Sequence, residues 1–513
     1  MQLVIQEHVW ARLADKNEHI TDIVLTELVD AAMGGGMGSE RAECVAEILH
    51  VISTTAIRGQ LIARLRKVSF PAFAAISELT IQTIAQTYLK PSAMLDQNPA
   101  WNEICVLARI NLMLSFTPAN PLGAQLFLPE LIHIITLLVG IGPTMVRQTI
   151  YGLFINLLQS MASSKATDDM NATTLQHALE KAQTPLIMCC FGLVQLGSGL
   201  ETLEERSSKE DAENSRLDRV EVLAGFMGEI LVAAAPSPGT SRPTPRRQTL
   251  MADCANAWRA RWMGLVVGTC FQHNPATQPQ AFTILGYLAS DEVDDDLVYQ
   301  VLVAMSTTLS HLSDTDTTLL TSMLRCLSRI IPGLLPDSRY ATSLFWLAFA
   351  VAEMGYIPLF GPALELMHTA LKALDGDDRV DRVMDHLFDF RHSMGEPARK
   401  IDQIAGISFD QEPSFGIIGI LFKGFRHPST RKAAIGVALE LLKLTTHHTG
   451  PVPEDEAALI PKSSVAYFVA LLPVLAGDVD ELKNLFIAAG LEVKDESLMD
   501  LSTLSVLSVL SIP

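Results

Sequence analysis

Three distant segments of this chain open on a proline and then repeat one apolar spacing, and this repetition restricts the fold more than any other feature. Counting from Pro143, the residues at +7, +10, +11 and +14 are Ile150, Leu153, Phe154 and Leu157. From Pro275 the same count reaches Phe282, Leu285, Gly286 and Ala289, and from Pro428 it reaches Ile435, Ala438, Leu439 and Leu442. An i, i+3, i+4, i+7 spacing puts such residues on one stripe of one helix face. Proline has a fixed φ and no amide N–H, so it interrupts a preceding helix yet fits the first turn of the next. Together these features predict helices packed on helices, with small residues such as Gly286 allowing close approach.

Composition supports a helical core, because 49% of the residues are hydrophobic and only 6% aromatic. The interior is therefore built from Leu, Ile, Val, Ala and Met. A chain of 513 residues exceeds what one compact core usually holds, and apolar stripes recur along it without the period-2 runs and tight Asn-Gly turns of hairpins. The predicted fold class is all-α, a HEAT/armadillo-like α-solenoid. About two dozen helix-length segments, at roughly 40–47 residues per repeat, make about a dozen repeats.

Fifty-seven acidic against 38 basic residues give a net charge of −19. No dense Lys/Arg stripe offsets it, so nucleic acid and anionic membranes are poor electrostatic matches and protein partners are expected. The seven cysteines (Cys44, Cys105, Cys189, Cys190, Cys254, Cys270 and Cys326) are odd in number and scattered through apolar patterns, as buried reduced thiols of a cytoplasmic protein would be. The apolar run Leu131–Gly142 is shorter than the ~20 residues a bilayer requires and reads as a fully buried helix. The amino-terminal residues lack the basic-then-apolar order of a secretory signal. They begin almost inside a helix pattern, as in a fragment of a longer protein.

Polar segments interrupt this pattern once. Gly197–Arg219 is charge-rich, and Ala234–Leu250 contains four prolines and no core pattern, which predicts a mobile loop. A short helix, Val220–Ala234, lies between them. The expected organisation is helical repeats over 2–196, a charged and Pro-rich region over 197–250, further repeats over 251–476, and a helical extension over 477–513.

Motifs for chemistry are missing: no Walker lysine follows a glycine cluster, and there is no G-x-S-x-G, H-E-x-x-H or C-x-x-C. Neither catalytic residues nor a cofactor or metal site is expected. The glycines of Met33–Glu40 lack a lysine and follow a helix, so Ser39 reads as an N-cap with Glu40 in the first turn. Acids in Asp291–Leu297 lack calcium-loop spacing and complement a helix N-terminus. Adjacent His447 and His448 diverge on a helix and make no zinc pair. Arg109, inside an apolar run, requires a structural partner.

The islands Ile104–Phe116 and Leu128–Ser160 resemble the helical region that follows the Sec14-like and PH-like modules in the neurofibromin family. Collinear islands extend this resemblance: Gly34–Glu43, Phe271–Ser290, Leu344–Val351, Leu421–Ser429 and Ser464–Leu472. It covers about residues 2 to 475, departs at Gly197–Leu250 and after about Gly477, and has a fungal-type balance of substitutions. The resemblance implies a Ras GTPase-activating parent whose catalytic module lies outside this chain. The arginine finger of that chemistry and its following Phe-Leu-Arg signature are not found here. Arg426, in the interhelix turn before Pro428, reads as a helix-end side chain that caps carbonyls rather than as a substitute finger.

What the resemblance implies for this region is a non-catalytic arm that helps build a homodimer and positions other modules, with Ras engaged only through the absent module. An alternative is an adaptor solenoid that binds another protein or a phosphopeptide on a basic groove. The candidate protein contacts are Trp258 and Trp262, i, i+4 neighbours on one helix face, and Arg426; aromatic and arginine anchors of this kind dominate many interfaces.

Overall fold

A computed structural model describes residues 18–36, 38–69, 101–115, 125–163, 169–194, 209–235, 245–272, 277–290, 293–310, 317–335, 338, 340–375, 413–447 and 479–488. Among the described residues the chain is all-α, with eighteen α-helices, one 3₁₀ turn and a single isolated β-bridge. It divides into two compact units, Met1–Leu288 and Ala289–Pro513. Helices pack chiefly on their neighbours in sequence, which is the α-solenoid arrangement.

The first unit contains α1 (Glu18–Gly35), α2 (Glu40–Val51), α3 (Thr55–Ser69), α4 (Trp101–Ser115), α5 (Leu128–Leu138), α6 (Thr144–Ala162), α7 (Asp169–Ala182), α8 (Pro185–Cys190), α9 (Lys209–Ala233), α10 (Pro245–Cys270) and α11 (Gln278–Leu288). Ser39 caps α2, its Oγ accepting from the Ala42 N–H at 3.1 Å and donating to the Gly36 carbonyl at 2.8 Å. Helix α4 packs on α1, α2, α3 and α6. Its Arg109 finds the required carboxylate in Glu43 of α2, with Nε to Oε1 at 2.9 Å and Nη2 to Oε2 at 3.4 Å.

Helix α5 packs on α3, α6, α9, α10 and α11, and every residue from Leu128 to Leu138 is buried. A helix so enclosed has no solvent stripe, which explains its uninterrupted apolar run. Gly142, with φ +77°, closes the turn into α6. A Cβ there would lie 2.8 Å from the Trp101 ring, so both backbone conformation and space require glycine. Pro143 immediately precedes α6, whose Ile150, Leu153, Phe154 and Leu157 are all buried as their spacing predicts.

Helix α11 departs from the predicted single stripe. Phe282, Leu285 and Gly286 are buried, but so are Ala281, Thr283 and Ile284, because α5, α9 and α10 surround the helix. Pro275 lies outside the described residues, and Pro279 occupies the helix's first turn. The Pro-rich and charged region also differs from expectation. Helix α9 begins at Lys209, within the charge-rich segment, and α10 at Pro245, within the segment predicted as a loop, and α9 packs on α5, α7, α8, α10 and α11. In sequence, the two compact units meet after Leu288.

The second unit contains α12 (Asp295–Ser310), α13 (Thr318–Ile330), the 3₁₀ turn Ile331–Gly333, α14 (Tyr340–Glu353), α15 (Ile357–Asp375), α16 (Pro413–Arg426), α17 (Pro428–His447) and α18 (Val479–Ala488). Asp294 caps α12 by accepting from the Leu297 N–H at 2.9 Å, so the acids before this helix do serve its N-terminus. Helix α15 packs on α13, α14 and α17, and α17 packs on α15, α16 and α18.

Pro428 is the first residue of α17, and the buried face overlaps the predicted stripe only in part. Ala438 and Leu442 of the stripe are buried, with Ala434, Val437, Leu441 and Leu444 beside them, whereas Ile435 and Leu439 are only half-buried. The cause is α15: a Cβ on Gly436 would lie 3.0 Å from the His368 ring, and Glu440 is buried nearby, facing His368 at 4.0 Å and Lys443 at 2.9 Å. One residue corresponds to about 100° of helix rotation, so a neighbour's side chain decides which near-equivalent face turns inward.

Candidate partner-contact surfaces

Trp258 and Trp262 share a face of α10, as their spacing requires, but the helix is tilted into the core at Trp262. Trp262 is fully buried and Trp258 half-buried, so only Trp258 has surface to offer a partner. Trp262 Nε1 has no hydrogen-bond partner, which marks it as an apolar filler of the core. The arginines beside the pair are structural. Arg259 donates to the Leu288 carbonyl at 3.0 Å, and Arg261 pairs with the largely buried Glu130 of α5 at 2.5 Å.

Along the same α5–α10 contact, His133 is 1% exposed. Thr269 Oγ1 donates to the Leu265 carbonyl at 3.0 Å, so at 3.2 Å it accepts from His133 Nε2–H, which fixes the tautomer of a neutral ring. Burial first, and the positive Arg66 of α3 second, pull its pKa down to about 3. Periodicity gave no sign of this polar seam, since a histidine in an apolar run reads simply as core.

Arg426 ends α16 and is exposed. Its guanidinium lies 4.3 Å over the Phe422 ring instead of capping carbonyls. The capping role falls to α17, where Thr430 Oγ1 donates to Gly424 O and Arg431 Nη1 to Phe425 O, each at 2.9 Å. A second Arg431 nitrogen pairs with Glu481 of α18 at 2.5 Å. Lys423, His427 and Lys432 are exposed around the same turn, and Ile357 at the start of α15 is 76% exposed. Sequence reading singled out Arg426 alone. The run from Lys423 to Lys432, with four Lys/Arg, one His and no acid, was the available signal for the rest.

Of the cysteines, Cys105, Cys190, Cys270 and Cys326 are buried, and burial pushes the Cys105 and Cys190 thiols up to about 11. Cys44 is exposed on α2, contrary to the expected burial, because it lies on the side of the helix away from Val45, Ala46 and Leu49. A cavity of about 20 Å³ lies among Arg58, Ile62, Asn111, Leu114 and Leu131, with room for a water molecule. Among the described residues no group of three His, Cys, Asp or Glu is placed to hold a metal ion, and no helix is long and apolar enough to cross a membrane.

These features define an all-α stack of helices whose notable side chains lie on helix faces and turns. No family model matches the chain. Over 504 residues, 95% of its length, it is 22% identical to "Inhibitory regulator protein IRA1" of Saccharomyces cerevisiae. Over 487 residues, 93% of its length, it is 20% identical to "Inhibitory regulator protein IRA2" of the same yeast. The chain spans 14% of the length of each of these curated relatives. Both matches run along nearly the whole chain, in keeping with the resemblance to the neurofibromin family carried by the collinear islands.

Proposed function

We propose that this chain is a non-catalytic, HEAT-like arm of a cytoplasmic Ras-regulating protein, which restrains Ras signalling through a GTPase-activating module elsewhere in its parent. In this role the arm scaffolds the parent and contributes to its self-association into a homodimer. The observation that carries the proposal is the collinear match of nearly the whole chain to two inhibitory regulators of which it spans only 14%. A match of this kind supports reading the chain as one region of a large regulator, with the rest of that length available to other modules. The stacked helices support a scaffold, since such proteins work through extended surfaces rather than one pocket.

Light scattering of the isolated chain across a hundredfold concentration range tests the self-association. A dimer that persists on dilution is expected, with an isologous patch on each copy. A monomer throughout would refute self-association by this region. A parallel assay of Ras GTP hydrolysis tests the non-catalytic part: the isolated chain should leave the intrinsic rate unchanged, and acceleration would overturn that assignment.

A further inference from the structure

We propose that the end of the second unit formed by the α14–α15 and α16–α17 turns is a docking surface for an acidic, amphipathic segment of a protein partner. The apolar part is Ile357, whose exposure forgoes most of the ~1.5–3 kcal/mol available from burying such a side chain. Half-buried Tyr356 and Pro358 flank it. One exposed isoleucine is unremarkable alone. Here it stands beside a cationic turn.

The two turns abut. A Cβ on Gly361 of α15 would lie 3.7 Å from Thr430 of α17, and one on Gly424 of α16 would lie 3.5 Å from the Phe360 ring and 3.1 Å from Leu364. Lys423 reaches back toward Glu353 of α14 at 3.9 Å. Ile357 therefore shares one surface with Lys423, Arg426, His427 and Lys432. Among the described residues, Glu353 pairs with Lys423 and Glu481 with Arg431, and Asp480 is exposed beside Glu481. Arg426 and Lys432 lie outside these pairs, a local cationic pair among the described residues of a chain of net charge −19.

Arg426 is well suited to recognition because its stacking on Phe422 holds the planar guanidinium in place. An arginine fixed in this way loses less side-chain freedom when it meets a carboxylate, and its fork geometry suits bidentate pairing. The occupant that satisfies both parts has an apolar side chain for Ile357 and carboxylates for the rim. An anionic membrane offers similar chemistry but presents a broad plane of negative charge to the whole acidic protein. A peptide engages only the patch, within a Debye length of about 8 Å at physiological salt.

The probe is a fluorescent synthetic helical peptide with leucines along one face and glutamates along the other, titrated against the full chain by anisotropy. Binding is expected, weakened about tenfold by Ile357→Asp and by the pair Arg426→Glu and Lys432→Glu, and weakened by added salt. Val232→Asp, on an exposed position of the first unit, should leave it unchanged. Far-ultraviolet melting confirms folding, with Ile357→Ser and Arg426→Gln as gentler substitutes. No binding, or equal binding by all variants, would overturn the proposal. So would cosedimentation with phosphatidylserine vesicles that these variants abolish, which would make the surface a membrane contact. The result is independent of dimerisation.

Discussion

His133 should make the stability of the first unit depend on pH in a defined direction. The ring is 1% exposed, donates from Nε2 to Thr269 and has its pKa pulled down to about 3, whereas an unfolded histidine titrates near 6.5. A group whose folded pKa is depressed contributes stability above its unfolded pKa, and that stability is lost as pH falls toward the folded value. Between pH 7 and pH 5 the unfolded ring takes up about three-quarters of a proton and the folded ring almost none. Linkage then removes about 2 kcal/mol, at about 1.4 kcal/mol per pH unit once below 6.5. For a unit of 288 residues that corresponds to roughly 3 °C in melting temperature. Other groups also titrate in this range, so the measurement is a comparison with His133→Gln, whose amide nitrogen can replace Nε2–H without gaining charge. Urea unfolding of both proteins at pH 7 and pH 5 should show the native chain losing about 2 kcal/mol more than the variant. Identical losses would refute the neutral, buried assignment.

Leu285→Ala in α11 should cost about 2–5 kcal/mol through lost burial and a residual cavity. Leu285→Asp should cost more, because a carboxylate would be enclosed by α5, α9 and α10; an unchanged melting temperature would contradict that enclosure. Gly142→Ala should destabilise the α5–α6 turn by roughly 1–3 kcal/mol through the left-handed conformation alone, with the Trp101 contact adding to it, as read by thermal melting. Ser39→Ala should cost about 1 kcal/mol and raise amide exchange at Ala42, the N–H that Ser39 caps.

Much of the local structure was legible because its causes are local. The Pro143 count named four residues of α6 that are buried, Ser39 is the cap its surroundings indicated, and the acids of Asp291–Leu297 supply a cap through Asp294. Arg109 needed a carboxylate, but nothing in its neighbourhood named Glu43, which lies 66 residues earlier. The candidate contacts were less legible. Trp258 and Trp262 have equal standing in the sequence, and Arg426 and Arg431 both flank one turn, yet each pair divides between different roles.

By itself the sequence indicated an all-α fold, where several helices begin, and a resemblance to the neurofibromin family. These follow from apolar period, proline and cap chemistry, and the order of residues, all of which act or are read within a few turns of chain. Tertiary structure decided which face of α17 turned inward, that α11 was enclosed on every side, that Trp262 became core, and that Ile357 came to stand beside a cationic turn. Burial and charge at those positions depend on side chains brought from other helices, such as His368 against Gly436 and Thr430 beside Gly361. A helix specifies its own period, but its neighbours select the face that is buried.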